Sequence, residues 1–117
     1  MAKTPAQLAE SVLREIGVID AVEAPSAEDS DYVVAAYASK FAELAAPGLE
    51  YVYWPLAEIP EAVFLTLRDL VINEVSGAFG SPLAPADKDA QEIIILRRLR
   101  RHVAIKPTGL ATEAVYF

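Results

Sequence analysis

Helix start and stop signals recur along this chain and divide it into segments too short for anything but small helices. Thr4-Pro5-Ala6-Gln7 has the pattern of a capping box, with Pro at the first helical position, where its missing N–H costs nothing. Leu8, Val12, Leu13 and Ile16 then share one helical face until Gly17 supplies a stop. Ser26 is the next N-cap, and Glu28, Asp29 and Asp31 sit close to the helix start, where the dipole favours negative charge. Val34, Tyr37, Phe41 and Leu44 follow at spacings of three and four, which predicts a second helix running to about Ala46 and ended by Pro47-Gly48. Pro60 opens a third helix, with Glu61 in its first turn and an apolar stripe of Val63, Phe64, Leu67, Leu70, Val71, Val75 and Phe79 before Gly80. A stripe that wide implies burial on more than one side. Ser81 to Asp87 is a Pro-punctuated loop, and a fourth helix is predicted from roughly Ala86 to His102. The run Ile93-Ile94-Ile95 would suit a strand, but the flanking DKDAQE and LRRLRR favour helix.

Between the second and third helices, Leu49 to Ile59 is rich in aromatic and β-branched residues and contains Pro55, which predicts an extended segment or edge rather than a central strand. The expected fold class is therefore all-α: a small four-helix bundle with an extended segment between helices 2 and 3 and an extended C-terminal tail. At 117 residues the chain suits one core. The expected organisation is a bundle domain over 1–102 and a partner-docking tail over 103–117. Of the 54% hydrophobic residues, 21 are Ala, so much of the apolar content is helix propensity. No apolar run approaches the roughly 20 residues of a membrane-spanning helix, and MAKTPAQLAE has no apolar signal core, so the expectation is no membrane partner and no export by a standard signal.

Charge is distributed unevenly. The net charge is -7, yet Arg97, Arg98, Arg100, Arg101 and Lys106 are five of the ten basic residues, while positions 1–96 hold 16 of the 17 acids. An acidic body argues against general nucleic-acid affinity, which comes mainly from phosphate neutralisation. The arginines can complement the helix dipole, pair with carboxylates of a protein partner, or contact DNA phosphate. The tail carries Pro107 and Gly109 and reaches Val115, Tyr116 and Phe117, aromatic and apolar groups where a merely fraying segment would be polar; they are read as partner-binding. Tyr51, Tyr53 and Trp54 are expected to cap the open end of the bundle or to lie against a neighbouring subunit.

Support for catalysis is slight. The chain has no Cys, its one His102 has no Ser or acid in an evident catalytic relation, and metal-ligand spacings and phosphate-binding glycine loops are missing. The expectation is a non-enzyme without cofactor or metal.

The order of these features resembles the small head-to-tail connector proteins of tailed bacteriophages, also called adaptor, tail accessory or head-completion proteins. The likeness rests on Leu13-Arg14-Glu15-Ile16-Gly17-Val18 ending the first helix, Pro25-Ser26-Ala27-Glu28-Asp29 opening the second, and Trp54 shortly before Ile59-Pro60. Ala78-Phe79-Gly80 after the long apolar helix, the Arg-rich fourth helix and Tyr116-Phe117 complete it. The resemblance implies a ring, commonly of twelve copies, beneath the portal protein in the virion neck, assembled in the bacterial host cytoplasm. Such a ring would lengthen the DNA channel, dock tail or neck proteins and let genomic DNA pass without specific binding. It also implies that the tail, with Arg97, Arg98, Arg100, Arg101, Lys106, Val115, Tyr116 and Phe117, faces the portal. The alternatives from other classes are a small helical DNA-binding regulator and an antitoxin-like partner protein.

Overall fold

A computed structural model of the protein describes residues 2–20, 22–49, 51–80 and 83–104, with only the backbone of 103 and 104. Its first helix, α1 (Pro5–Ile16), starts in a closed capping box: the Thr4 hydroxyl accepts from the Gln7 N–H at 3.1 Å, and the Gln7 side chain accepts from the Thr4 N–H at 2.8 Å. It stops at Gly17, whose φ of 93° is a left-handed conformation that a side chain would strain, and whose N–H turns back to the carbonyls of Leu13 and Arg14. Helix α2 (Ala27–Leu44) begins where the Ser26 hydroxyl accepts from the Asp29 N–H at 3.1 Å. It ends two residues before the expected Ala46, with the Ala45 N–H bonded to the Phe41 carbonyl at 2.8 Å.

Helix α3 (Glu61–Val75) starts from Pro60 and is shorter than its stripe suggests. The Ser76–Phe79 stretch tightens into a 3-10 turn closed by left-handed Gly80 at φ 91°. Ser76-Gly77 are poor helix formers, and the tighter turn is a common way to end a helix over such residues. Helix α4 (Pro85–Ala104) contains all three consecutive isoleucines. Ala2–Lys3 (β1) and Ile59–Pro60 (β2) pair antiparallel, with Ala2 opposite Pro60 and Lys3 opposite Ile59. Among the described residues the fold is all-α with this one minimal ladder.

Helix α3 is the centre of the packing, touching α1, α2 and α4. Its width follows: Val63, Thr66, Leu67, Leu70, Val71, Asn73 and Val75 are all buried, spread around more than one face. They meet Leu8, Val12 and Leu13 of α1, Val33, Tyr37 and Leu44 of α2, and Ile95 and Leu99 of α4 in one core. The face of α2 is rotated from the expected one. Tyr37 and Leu44 are buried as expected, but Val33 and Lys40 join them, while Val34 and Phe41 are only partly buried.

Lys40 is the exception to the rule that a core excludes charge. It is 7% exposed, and its ammonium reaches Glu43 of its own helix at 3.1 Å, Glu74 of α3 at 3.1 Å and Glu92 of α4 at 3.5 Å. Burial alone lowers a lysine pKa, but here the bonds to Glu43 and Glu74 and the charges of Glu74 and Glu92 outweigh it, and Lys40 is held above its ordinary 10.5. A lysine pKa raised in the fold stabilises fully below the unfolded value and is lost as pH rises through the folded value. Its contribution is thus constant across neutral pH and disappears only above about 10.5. Among the described residues, Lys40→Met leaves Glu92 without a counter-charge and Glu74 with only Lys88, 3.8 Å away. The expected loss is about 3 kcal/mol in urea unfolding at pH 7, the lower end for a broken buried pair because both glutamates keep some solvent; the difference between variant and parent should shrink as pH is raised past the lysine range.

Candidate functional site

The fourth helix divides into two faces. Lys88, Glu92, Ile95, Leu96, Leu99 and His102 turn inward, the first two and last as half-buried flanks. Ala86, Ala90, Ile93, Ile94, Arg97 and Arg101 turn outward, as the 3.6-residue period requires. Three consecutive isoleucines cannot all face one core from a helix. Ile95 is buried, while Ile93 and Ile94 are 54% and 51% exposed.

The four arginines accordingly do different things. Arg98 donates through Nη2 to Asp69 of α3 at 2.6 Å, and Asp69 also receives Arg68 at 3.3 Å. Arg100 donates to the Leu49 carbonyl at 3.1 Å and lies with its guanidinium 4.6 Å from the Tyr51 ring centroid, clamping the inter-helix excursion to the bundle. Arg97 and Arg101 are exposed and make no ion pair or side-chain hydrogen bond among the described residues. The single cluster of the sequence is therefore two structural arginines and two that are open to contact. Lys106, Val115, Tyr116 and Phe117 lie outside the described residues.

The aromatic excursion is knit to the core rather than displayed. Trp54 is buried, and rings run edge to face from Tyr53 to Trp54 (5.2 Å), Trp54 to Phe41 (6.3 Å) and Phe41 to Tyr37 (6.0 Å). The Trp54 indole donates to the Tyr37 hydroxyl at 3.4 Å, and that hydroxyl donates to the Leu56 carbonyl at 3.0 Å. Burial raises the Tyr37 pKa above its ordinary value, with the Trp54 bond acting in the opposite direction. Tyr51 and Tyr53 are half-buried against the same core.

Between α3 and α4 a groove of about 350 Å³ is lined by Ile72, Asn73, Leu83, Ile94 and Arg98 among others. The Asn73 amide donates to the Lys88 carbonyl at 3.0 Å, and its carbonyl oxygen is buried without a protein partner. That carbonyl oxygen was not visible as a feature of the sequence, where Asn73 reads only as a polar interruption of the α3 stripe.

His102 is half-buried at the end of α4. Among the described residues no three acids or histidines are grouped to hold a metal ion, and no helix is long and apolar enough to cross a membrane. Comparison with protein families, with characterised proteins and with solved structures finds no match for this chain. The candidate site is therefore defined by its geometry: an exposed helix face with two isoleucines followed by two arginines unpaired among the described residues, on a body that carries 16 acids against five Lys and Arg over positions 1–96.

The division among the arginines has a direct measurable consequence. Arg98→Ala and Arg100→Ala should each cost about 0.5–1 kcal/mol, for a half-exposed ion pair and a cation–ring contact respectively. Arg97→Ala and Arg101→Ala should stay within about 0.5 kcal/mol of the parent, as surface changes away from any partner do. Urea-unfolding midpoints of the four variants separate the two groups.

Proposed function

We propose that this chain is a structural virion protein of tailed bacteriophages: a head-to-tail connector subunit that forms a ring under the portal, extends the DNA channel and docks tail or neck proteins. The observation that carries the reading is the outer face of α4, where Ile93 and Ile94 are about half exposed and Arg97 and Arg101 are unpaired among the described residues. A lone folded subunit gains nothing from such a face, and a subunit destined for assembly needs one. The acidic body supports the same reading. Positions 1–96 carry 16 acids against five Lys and Arg, and a channel wall of that sign repels phosphate, so DNA slides past it.

In this reading the chain is not an enzyme, needs no cofactor, and works in the head-tail neck of the virion after assembly in the host cytoplasm. Helix α4 runs to Ala104, so the segment assigned to the portal is 105–117, with Lys106 and the Val115-Tyr116-Phe117 group as its anchors. Some thirteen residues can span roughly 45 Å when extended, enough to cross a neighbouring ring. Arg98 and Arg100 are left out of the assembly contacts because Asp69, Leu49 and Tyr51 already hold them.

The experiment combines the purified protein with the portal protein of the phage that this reading assigns it to and images the mixture by electron cryo-microscopy. The expected result is a ring of added density on the portal. Deleting 110–117 should abolish attachment while leaving the circular-dichroism spectrum unchanged. The protein should also show no measurable affinity for duplex DNA near physiological salt. A dimer that binds DNA at micromolar concentration with a steep salt dependence would replace this reading with the small regulator.

A further inference from the structure

The outer face of α4 has a counterpart elsewhere on the same molecule. On α2 the residues turned away from the core are Glu28, Asp31, Tyr32, Ala35, Ser39 and Ala42. Glu28 and Asp31 are exposed and form no ion pair among the described residues, and Tyr32 is 50% exposed. Beyond them Ala35, Ser39 and Ala42 leave the helix backbone open to close approach. The two faces are therefore complementary in charge and in relief: one is acidic and then shallow, the other basic and then ridged by isoleucine.

The complementarity also holds in register. In an antiparallel pairing that sets Arg101 against Glu28, Arg97 falls beside Asp31 and Tyr32, Ile94 falls on Ala35, and Ala90 falls on Ser39. From Glu28 to Ala35 and from Arg101 to Ile94 are seven residues each, about 10.5 Å along either helix, so charge meets charge and ridge meets hollow together. The acidic start of α2 and the basic end of α4 lie at the same end of the pair, where helix dipoles run in opposed directions.

We infer that the outer face of α4 docks onto the outer face of α2 of a second copy of this chain. The contact uses two different surfaces, so it is head-to-tail: each copy offers one face to each of two neighbours, and repetition closes a ring or grows a filament. This inference rests on the ring reading above and names the surfaces that would build the ring.

The chain contains no Cys, so introduced thiols report without background. Ile94→Cys and Ala35→Cys, made separately and mixed with a short bis-maleimide, should give a covalent heterodimer, and the two changes in one chain should give a ladder of multimers on a denaturing gel. Adding Arg97→Glu and Arg101→Glu should remove the ladder. Adding Glu28→Arg and Asp31→Arg to that same chain should restore it, because the two faces then attract with exchanged signs. Circular dichroism checks that each variant keeps its helices.

Self-linking of Ile94→Cys alone with the yield of the mixture would mean that α4 pairs with α4, and would overturn the inference. So would a ladder indifferent to charge reversal, no ladder at the highest soluble concentration, or one that appears only after residues 105–117 are deleted, which would assign the face to the tail. The same linking is read on protein attached to portal rings. A ring that forms there without the 94–35 link refutes the pairing and leaves the connector reading standing; a ladder from protein that never attaches to portal does the reverse.

Discussion

An ammonium group surrounded by three glutamates is the interaction on which the arrangement of the bundle most depends. Lys40 joins α2 to α3 through Glu74 and to α4 through Glu92, at the point where those three helices converge. A purely apolar contact at this position would tolerate sliding and rotation of α4 over α3, since hydrophobic attraction has no direction. Charge-assisted hydrogen bonds do have direction, and here they link helices far apart in sequence. The rotation of α2 that puts Val33 inside and leaves Val34 at the margin is the rotation that brings Lys40 to the acids. Because α4 is then held in one rotational setting, its remaining isoleucines and arginines are displayed in a fixed pattern.

That display separates stability from recognition along one helix. Arg98 and Arg100 hold Asp69 and the Leu49–Tyr51 stretch, so they help to shape the surface that their neighbours present. Arg97 and Arg101 lie between them on the outward face of the helix, with Ile93 and Ile94. Arginine suits such a dual use because its planar fork can clamp a carbonyl or carboxylate in one setting and remain open to a partner's carboxylates in another. The acidic remainder of the surface makes a second copy of the chain a natural source of those carboxylates.

The helix ends were legible in the sequence because capping is local. Thr4 with Gln7, Ser26, Gly17 and Gly80 act through hydrogen bonds or φ angles within a few residues, and the all-α fold follows from them. What was not legible depended on distant residues. Nothing near Lys40 in sequence announces that Glu74 and Glu92 will surround it, so its burial was not legible. The four arginines were likewise all assigned to a partner, because Asp69 and Leu49 are contacts that only the tertiary fold supplies. The exposure of Ile93 and Ile94 was available from periodicity alone: once the run is helical, at most one or two of three consecutive positions can face a core. The tail residues singled out in the sequence lie outside the described residues, and their part in the site stays a proposal.

The burial of the excursion gives the molecule a built-in optical reporter. Trp54 is the only tryptophan of the chain, and its indole sits between the Phe41 and Tyr53 rings with its N–H on the Tyr37 hydroxyl. Its emission therefore senses whether the 51–58 segment is seated, whereas far-ultraviolet dichroism senses the helices, and 51–58 is not itself helical. If the excursion lifts from the bundle as a separate local event, the fluorescence shifts to the red before helix content falls. Fluorescence and dichroism followed together thus distinguish opening of the bundle's cap from melting of the bundle itself, without any label.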